Sequence, residues 1–313
     1  MIIDFRDAVF NAVGEIMSKG KDVLVLYNDM GAMGLDKIKN EFPGRVINAG
    51  IAEQNMASVA AGLAMTGKRV FIYGIIAHIF SRGFEQIRND VCCANLPVTI
   101  LGVGSGLSYG TDGPTHHGVQ DIAVMRTLPN MTIYNPADSV SAYASVKLAD
   151  EHRGPGYIRM DKEQLPALYG PDADFHAGFN ILHEGSDIAL LATGVLVHRS
   201  IEAARQLADE GISVRVMDIF RLKPIDSNAL YKGIEDVNAV LTVEENSPVG
   251  GLSSIIAELI AVHDRKITLA SVTLNDEAMM SAASRKWAEA RCGLTMENII
   301  ARIRNIAEAT ATS

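Results

Sequence analysis

The chain has 313 residues and a formal charge of −9, with 48% hydrophobic and 21% charged residues. That length holds about two domains of ordinary size, and that balance belongs to a soluble globular protein. The acidic charge argues against nucleic acid or an anionic membrane as the main partner, and no apolar run reaches the roughly 18 residues a membrane span requires. The opening Met1-Ile2-Ile3-Asp4-Phe5-Arg6 lacks the basic-then-apolar order of a secretion signal. Three cysteines, two of them adjacent as Cys92-Cys93, make neither a disulfide framework nor a zinc site. A reduced, cytoplasmic setting with buried, inert thiols is the expectation.

Short β-rich runs alternate with longer helical ones. A helical pattern over 5–19 precedes the buried strand Val23-Leu24-Val25-Leu26-Tyr27. A helix over 52–65 leads to the strand Arg69-Val70-Phe71-Ile72-Tyr73, and a helix over 78–93 leads to Pro97-Val98-Thr99-Ile100-Leu101. Met131-Thr132-Ile133-Tyr134 is the next strand, followed by a helix over 138–150 with Asp138 as its N-cap, and then Gly156-Tyr157-Ile158-Arg159. The pattern weakens where Pro166, Gly170, Pro171 and Gly178 cluster, which reads as a linker.

A second alternation follows. Asp187-Ile188-Ala189-Leu190-Leu191-Ala192 is a strand, and a helix runs from Thr193-Gly194 to about Glu210. Ser213-Val214-Arg215-Val216-Met217-Asp218 and Ala239-Val240-Leu241-Thr242-Val243 are strands, and Gly250-Gly251 opens another helix. Strands that alternate with helices imply βαβ units. The fold class is therefore α/β, with two doubly wound domains, each a mainly parallel sheet flanked by helices. The boundaries read as 1–165, a linker over 166–180, and 181–313.

Two runs carry the chemistry: Gly50-Ile51-Ala52-Glu53-Gln54-Asn55-Met56 and Asp112-Gly113-Pro114-Thr115-His116-His117-Gly118. A glutamate early in a helix favours the positive end of the helix dipole by about 0.3–1 kcal/mol, and taken alone Glu53 need do no more. The helix that follows is small and apolar nearly all round, through Ala57, Val59, Ala60, Ala61, Leu63 and Ala64, which predicts burial. A buried carboxylate is costly unless paired, so Glu53 suits a proton shared with a ring nitrogen.

The second run follows a strand and the glycines Gly102, Gly104 and Gly106, which would let backbone approach a ligand closely. They lack the third glycine of a dinucleotide fingerprint, which excludes a nicotinamide or flavin site. Gly113-Pro114 presents His116 on a loop at the C-terminal end of a strand, where open α/β sheets bind ligands. His116 and His117 are adjacent and diverge, and no third ligand has suitable spacing, so no metal site is expected in this chain. Arg6, Arg82 and Arg159 are the cations of interest, since the arginine fork suits phosphate and Arg159 ends a strand at the ligand-binding edge, although each taken alone reads first as a surface ion pair.

Taken together these residues resemble the pyrimidine-binding and C-terminal domains of the transketolase family. The resemblance covers essentially the whole chain. It is most specific in Ile51-Ala52-Glu53-Gln54, in Asp112-Gly113-Pro114-Thr115-His116, around Arg126, Pro129, Asn130 and Met131, and in Phe220-Arg221-Leu222-Lys223-Pro224-Ile225-Asp226. It implies thiamine diphosphate as cofactor, with Glu53 on N1′ of the aminopyrimidine, and transfer of a two-carbon ketol unit from a ketose phosphate to an aldose. Glu53 and His116 are then the catalytic candidates. Tyr73, His78, Ile79, Phe80 and Arg82 face the cofactor, the stacking aromatic aligning at Ile79 or one residue on at Phe80. Asp112, His116, Arg159, Arg6 and Asp29 are the substrate candidates.

Gly104 stands where a transketolase histidine is expected, and Met33 near a phosphate-holding serine. No Gly-Asp-Gly segment with a following Asn is present to hold Mg²⁺ and the diphosphate. The resemblance therefore implies a split enzyme. An N-terminal partner subunit would supply the Mg²⁺ ligands, the assembly would be a dimer of heterodimers, and the isolated chain would self-associate as a homodimer. The alternatives are a non-catalytic transketolase-like partner, a 2-oxo-acid dehydrogenase β subunit, and a deoxyxylulose-phosphate synthase, which is one long chain.

Overall fold

The computed structural model describes residues 4–277 and 281–311; residues 1–3, part of the signal-sequence reading, lie outside it. The first half runs α1 (Phe5–Ser18), β1 (Val23–Tyr27), α2 (Met33–Glu41), β2 (Val46–Asn48), α3 (Glu53–Met65), β3 (Arg69–Ile75) and α4 (Ile76–Arg82). The short α5 (Phe84–Gln86) then leads into a π-helical turn (Ile87–Cys92). It continues through β4 (Val98–Val103), α6 (Asp121–Arg126), β5 (Thr132–Tyr134), α7 (Ser139–Glu151) and β6 (Gly156–Met160).

The second half runs β7 (Asn180–His183), β8 (Ile188–Ala192), α8 (Leu196–Ala208), β9 (Val214–Asp218), β10 (Arg221–Lys223) and α9 (Ser227–Lys232). It ends with β11 (Ala239–Val243), α10 (Leu252–Ala261), β12 (Thr268–Val272), α11 (Arg285–Arg291) and α12 (Met296–Ala311).

Two sheets result. The first has the order β10-β5-β6-β4-β3-β1-β2 and the second β12-β11-β8-β9-β7. Every pairing is parallel except at β10 and β7, which lie antiparallel on an edge of their sheets. The mainly parallel α/β class read from the sequence is the fold observed. The pleat explains why the strands read as continuous apolar runs. Leu24 and Leu26 point into one core, and Val23, Val25 and Tyr27 into another on the opposite face. α1, α2 and α7 cover the second of these faces, and α3, α4 and α6 the first.

The core under α3 continues into the second half through Leu191, Met217, Leu230 and Ile255. β10 is contributed by the second half yet completes the edge of the first sheet beside β5. No regular element lies between β6 and β7, but Tyr169 within that stretch is buried and donates to Asp218 Oδ2 at 2.6 Å. Asp138 caps α7 as expected, accepting from Ser141 N–H at 2.8 Å, and it also accepts from Leu168 N–H at 2.7 Å.

Three expectations change. The helix over 78–93 is broken at Gly83, where a side chain would press on the Ile79 carbonyl 3.0 Å away, and it resumes as a π-helical turn. α3 is buried on one side only: Met56, Ala57, Ala60, Ala61 and Ala64 pack inward, whereas Val59 is 42% and Met65 66% exposed. Its all-round apolar character therefore does not mean all-round burial within this chain. Of the adjacent thiols only Cys92 is buried, and burial pushes it up to about 12; Cys93 is exposed.

Two measurements check this packing. Ala60→Leu overfills the inner face of α3 and costs about 1–3 kcal/mol, whereas Val59→Ala on the open face stays within about 0.5 kcal/mol, read from urea unfolding. Burial raises the Asp218 carboxyl to about 8. The folded state then keeps a proton that an unfolded aspartate releases near about pH 4. Stability falls as pH rises between those values, and Asp218→Asn removes that part of the slope.

Candidate functional site

In the first sheet β1 is flanked by β2 on one side and β3 on the other, so consecutive connections leave β1 in opposite directions. The crevice at the C-terminal ends of β1 and β3 is where such sheets take ligands. Asn28 begins it, donating through Nδ2 to the Gly50 carbonyl at 2.8 Å. Asp29, in a left-handed conformation at φ 45°, accepts from Asn48 Nδ2 at 2.8 Å, and Asn48 Oδ1 accepts from Gly50 N–H at 2.8 Å. These bonds fix the turn from which α3 starts, and Glu53 is its first residue.

The Glu53 side chain is 7% exposed. Its Oε1 lies 3.3 Å from Arg82 Nη1 and 3.8 Å from His78 Nδ1, both carried by α4. Arg82 is 55% exposed, so this ion pair is screened by solvent and weak. Burial, then the Arg82 and His116 charges, hold His78 below its ordinary pKa and keep it neutral at pH 7. The His116 ring meets His78 edge-on at 5.0 Å between centroids, and Thr115 Oγ1 sits 2.9 Å from His116 Nδ1. Glu53, His78, Arg82 and His116 thus form one continuous cluster.

Arg6 and Tyr73 form a second wall. Asp4 accepts from Arg6 Nε at 2.9 Å and from Nη2 at 2.6 Å, which keeps the guanidinium charged and pointed. Tyr73 is fully buried against Phe10, with the Arg6 guanidinium near its hydroxyl. Burial raises the Tyr73 phenol above its usual range, against the pull of Arg6. Asp112 is exposed on a 3-10 turn (Gly110–Asp112), and Gly113 after it has φ 77°, a conformation that glycine adopts without strain.

Several sequence candidates stand elsewhere. Arg159 is buried, and its guanidinium is spent on protein: Nε donates to Asp121 Oδ2 at 2.8 Å and Nη2 to the Gly118 carbonyl at 2.5 Å. It anchors the end of the loop that carries His116 and does not face the cleft. Ile79 is also inside the core, packed on Gly74, which leaves the half-buried Phe80 as the accessible aromatic of the pair. The glycines at the end of β4 and just beyond it face protein. A side chain at Gly102 would strike Ile76 and Tyr157, at Gly104 the ring of Tyr109, and at Gly106 the Glu245 carboxylate.

Sequence reasoning missed a buried charge hub. Arg285 on α11 reaches Asp161 at 2.8 Å, Glu245 at 2.5 Å and Glu289 at 3.2 Å, and the more exposed Glu163 at 3.0 Å. Only the Glu244-Glu245 pair gave any signal of it. Clefts of about 720 and 610 Å³ lie behind Ser108 and Lys162, and between α1, α2 and α7. Neither is lined by Glu53, His78 or His116, which occupy an open edge. Among the described residues no group of three or more His, Cys, Asp or Glu side chains is placed to hold a metal ion, and no helix is long and apolar enough to cross a membrane.

Comparisons with known proteins match both halves of this chain. The transketolase pyrimidine-binding domain matches residues 2–167, and the transketolase C-terminal domain matches residues 178–299. The chain belongs to the transketolase family. It is 38% identical to one subunit of the apulose-4-phosphate transketolase of Actinobacillus succinogenes, over 83% of this chain and 84% of that one. It is 32% identical to the 6-deoxy-6-sulfo-D-fructose transketolase subunit SqwH of a Clostridium species, over 97% and 94%. A solved structure described as a split gene transketolase, inactive β4 tetramer, superposes with a TM-score of 0.89 at 35% identity, covering 97% of this chain and 98% of that one. Membership of the family implies thiamine diphosphate chemistry.

Arg159→Met strands the Asp121 carboxylate in the interior of this transketolase-family fold. The expected loss is about 3–5 kcal/mol of stability in urea unfolding.

Proposed function

We propose that this chain is the pyrimidine-binding subunit of a split, cytoplasmic transketolase, active with an N-terminal partner subunit. Its pyrimidine-binding domain would span 1–165 and its C-terminal domain 181–313, joined by 166–180. The observation that carries the reading is Glu53: a carboxylate hidden at the start of α3, yet at the uncovered edge of the sheet beside neutral His78. Around it Ile51 is 76% exposed, and Val59 and Met65 lie open on the same helix. Such an apolar face beside an unenclosed site fits closure by a second chain.

The residues present fit one half of thiamine diphosphate. A buried carboxylate, with a half-buried aromatic, Phe80, on the helix that carries its partners, suits an aminopyrimidine, with Glu53 holding the proton shared with N1′. Tyr73 and Arg82 border that place. When bound, the cofactor supplies the nucleophilic carbon and the electron sink for cleaving the ketose. The diphosphate and Mg²⁺ ligands are assigned to the partner subunit.

This chain's own contribution to the sugar is recognition. His116 hydrogen-bonds the carbonyl and hydroxyl side of the donor, and Asp112 and Asp29 read its hydroxyls. Arg6, held by Asp4, meets the phosphate as a fixed charge. The substrates are a ketose phosphate as donor and an aldose or aldose phosphate as acceptor. Two partner-bound copies make the dimer of heterodimers, and the isolated chain pairs with itself through the open face of α3.

The test is titration calorimetry of thiamine diphosphate with Mg²⁺ into this chain, with and without the N-terminal subunit, followed by a ketol-transfer assay. Tight binding and turnover are expected only in the mixture. Glu53→Ala should leave assembly intact and lower turnover by about 10²-fold or more, the contribution expected of a positioned proton-transfer group. A stable complex with neither binding nor turnover would make this a non-catalytic partner.

A further inference from the structure

We infer that Tyr109 determines which donor ketoses the site accepts, by filling the volume that Gly104 leaves open and presenting its phenol beside His116. The inference rests on the transketolase reading and adds a specificity residue to it. Gly104 directly follows β4 at φ 97°, and a Cβ there would fall on Cδ2 and Cε2 of the Tyr109 ring. The ring and a side chain at position 104 therefore exclude each other. This wall of the site is aromatic because the backbone beneath it has no substituent.

The ring is held in place from other directions. Lys162 Nζ lies 3.9 Å from its centroid, a cation–π contact. Lys162 in turn follows Asp161, which accepts its backbone N–H at 2.7 Å and is gripped by Arg285. The His116 ring stands 5.6 Å from that of Tyr109. Burial keeps the phenol above its usual pKa, with Arg6 opposing and Asp112 adding to that shift, so it is a protonated donor at neutral pH. Tyr109 thus lies among Arg6, Asp112 and His116, the residues assigned to the sugar.

A rigid ring excludes bulk, and a placed hydroxyl rejects a substrate that cannot pair with it far more strongly than an apolar wall does. The ligand class is a ketose phosphate whose hydroxyl-bearing carbons pass beside His116. An unbranched chain fits against the ring, and a substituent on those carbons meets it.

Tyr109→Phe and Tyr109→Ala should be assembled with the N-terminal subunit, thiamine diphosphate and Mg²⁺. kcat/KM is then measured for a straight-chain and a branched ketose phosphate, alongside cofactor Kd by calorimetry. Tyr109→Phe should lower kcat/KM for the straight-chain donor about tenfold, mainly through KM, with cofactor Kd within about threefold of the unsubstituted complex. Tyr109→Ala should raise the branched-to-straight ratio about tenfold or more. An unchanged donor profile in both variants overturns the inference alone, as does an equal loss of both donors together with cofactor affinity. Failure of the unsubstituted complex to transfer from any donor, with cofactor bound, overturns the transketolase reading and the inference with it.

Discussion

Arg159 and Asp161 stand two residues apart at the end of β6, and both are buried with opposite charge. Arg159 holds Asp121 and the Gly118 carbonyl, and Asp161 accepts from Arg285 and from Ser105 Oγ at 2.7 Å. Arg285 also grips Glu245 at the end of β11. Taking such charges out of water costs several kcal/mol each unless every lone pair and proton finds a partner. The arrangement is therefore nearly all-or-none. It ties the loop bearing His116, the first sheet and the second sheet to one strand end.

That joint explains why the site can be precise and still open. Glu53, His78 and His116 come from three separate segments, yet each is fixed from behind: α3 by the Asn48–Gly50 turn, α4 by its packing on β3, and the loop by Arg159. Glu53 is buried and His78 and His116 are half-buried, with the more exposed Arg82 on the solvent side of the cluster. A site held in this way keeps its geometry because each side chain is locked by packing and hydrogen bonds behind it.

Much of this was legible in advance. The strands are buried on both faces, so their apolar runs announced a parallel sheet, and Asp138 and the Gly113-Pro114 turn could be read from local chemistry. Other features were not legible because they depend on residues remote in the chain. Arg159 looked like an arginine at a ligand-binding edge, and only the approach of Asp121 turned it inward. Gly102, Gly104 and Gly106 looked like a ligand cradle, but the bodies that approach them are Tyr157, Tyr109 and Glu245. Which of Ile79 and Phe80 faces inward is a matter of helix phase, and Ile79 is the one packed on Gly74 while Phe80 is half-buried.

By itself the sequence determined the class of fold, the family, and the helix start that places Glu53. Each of these follows from period, turn chemistry and short motifs, which act over a few residues. The tertiary structure decided which arginine is buried and which stays near the surface, which face of α3 stays open, and that Tyr109 fills the space beside Gly104. These depend on distances between segments that are remote in the chain. Only the closed sheets, with their low-dielectric interior, make a charge choose a partner and a glycine choose a neighbour.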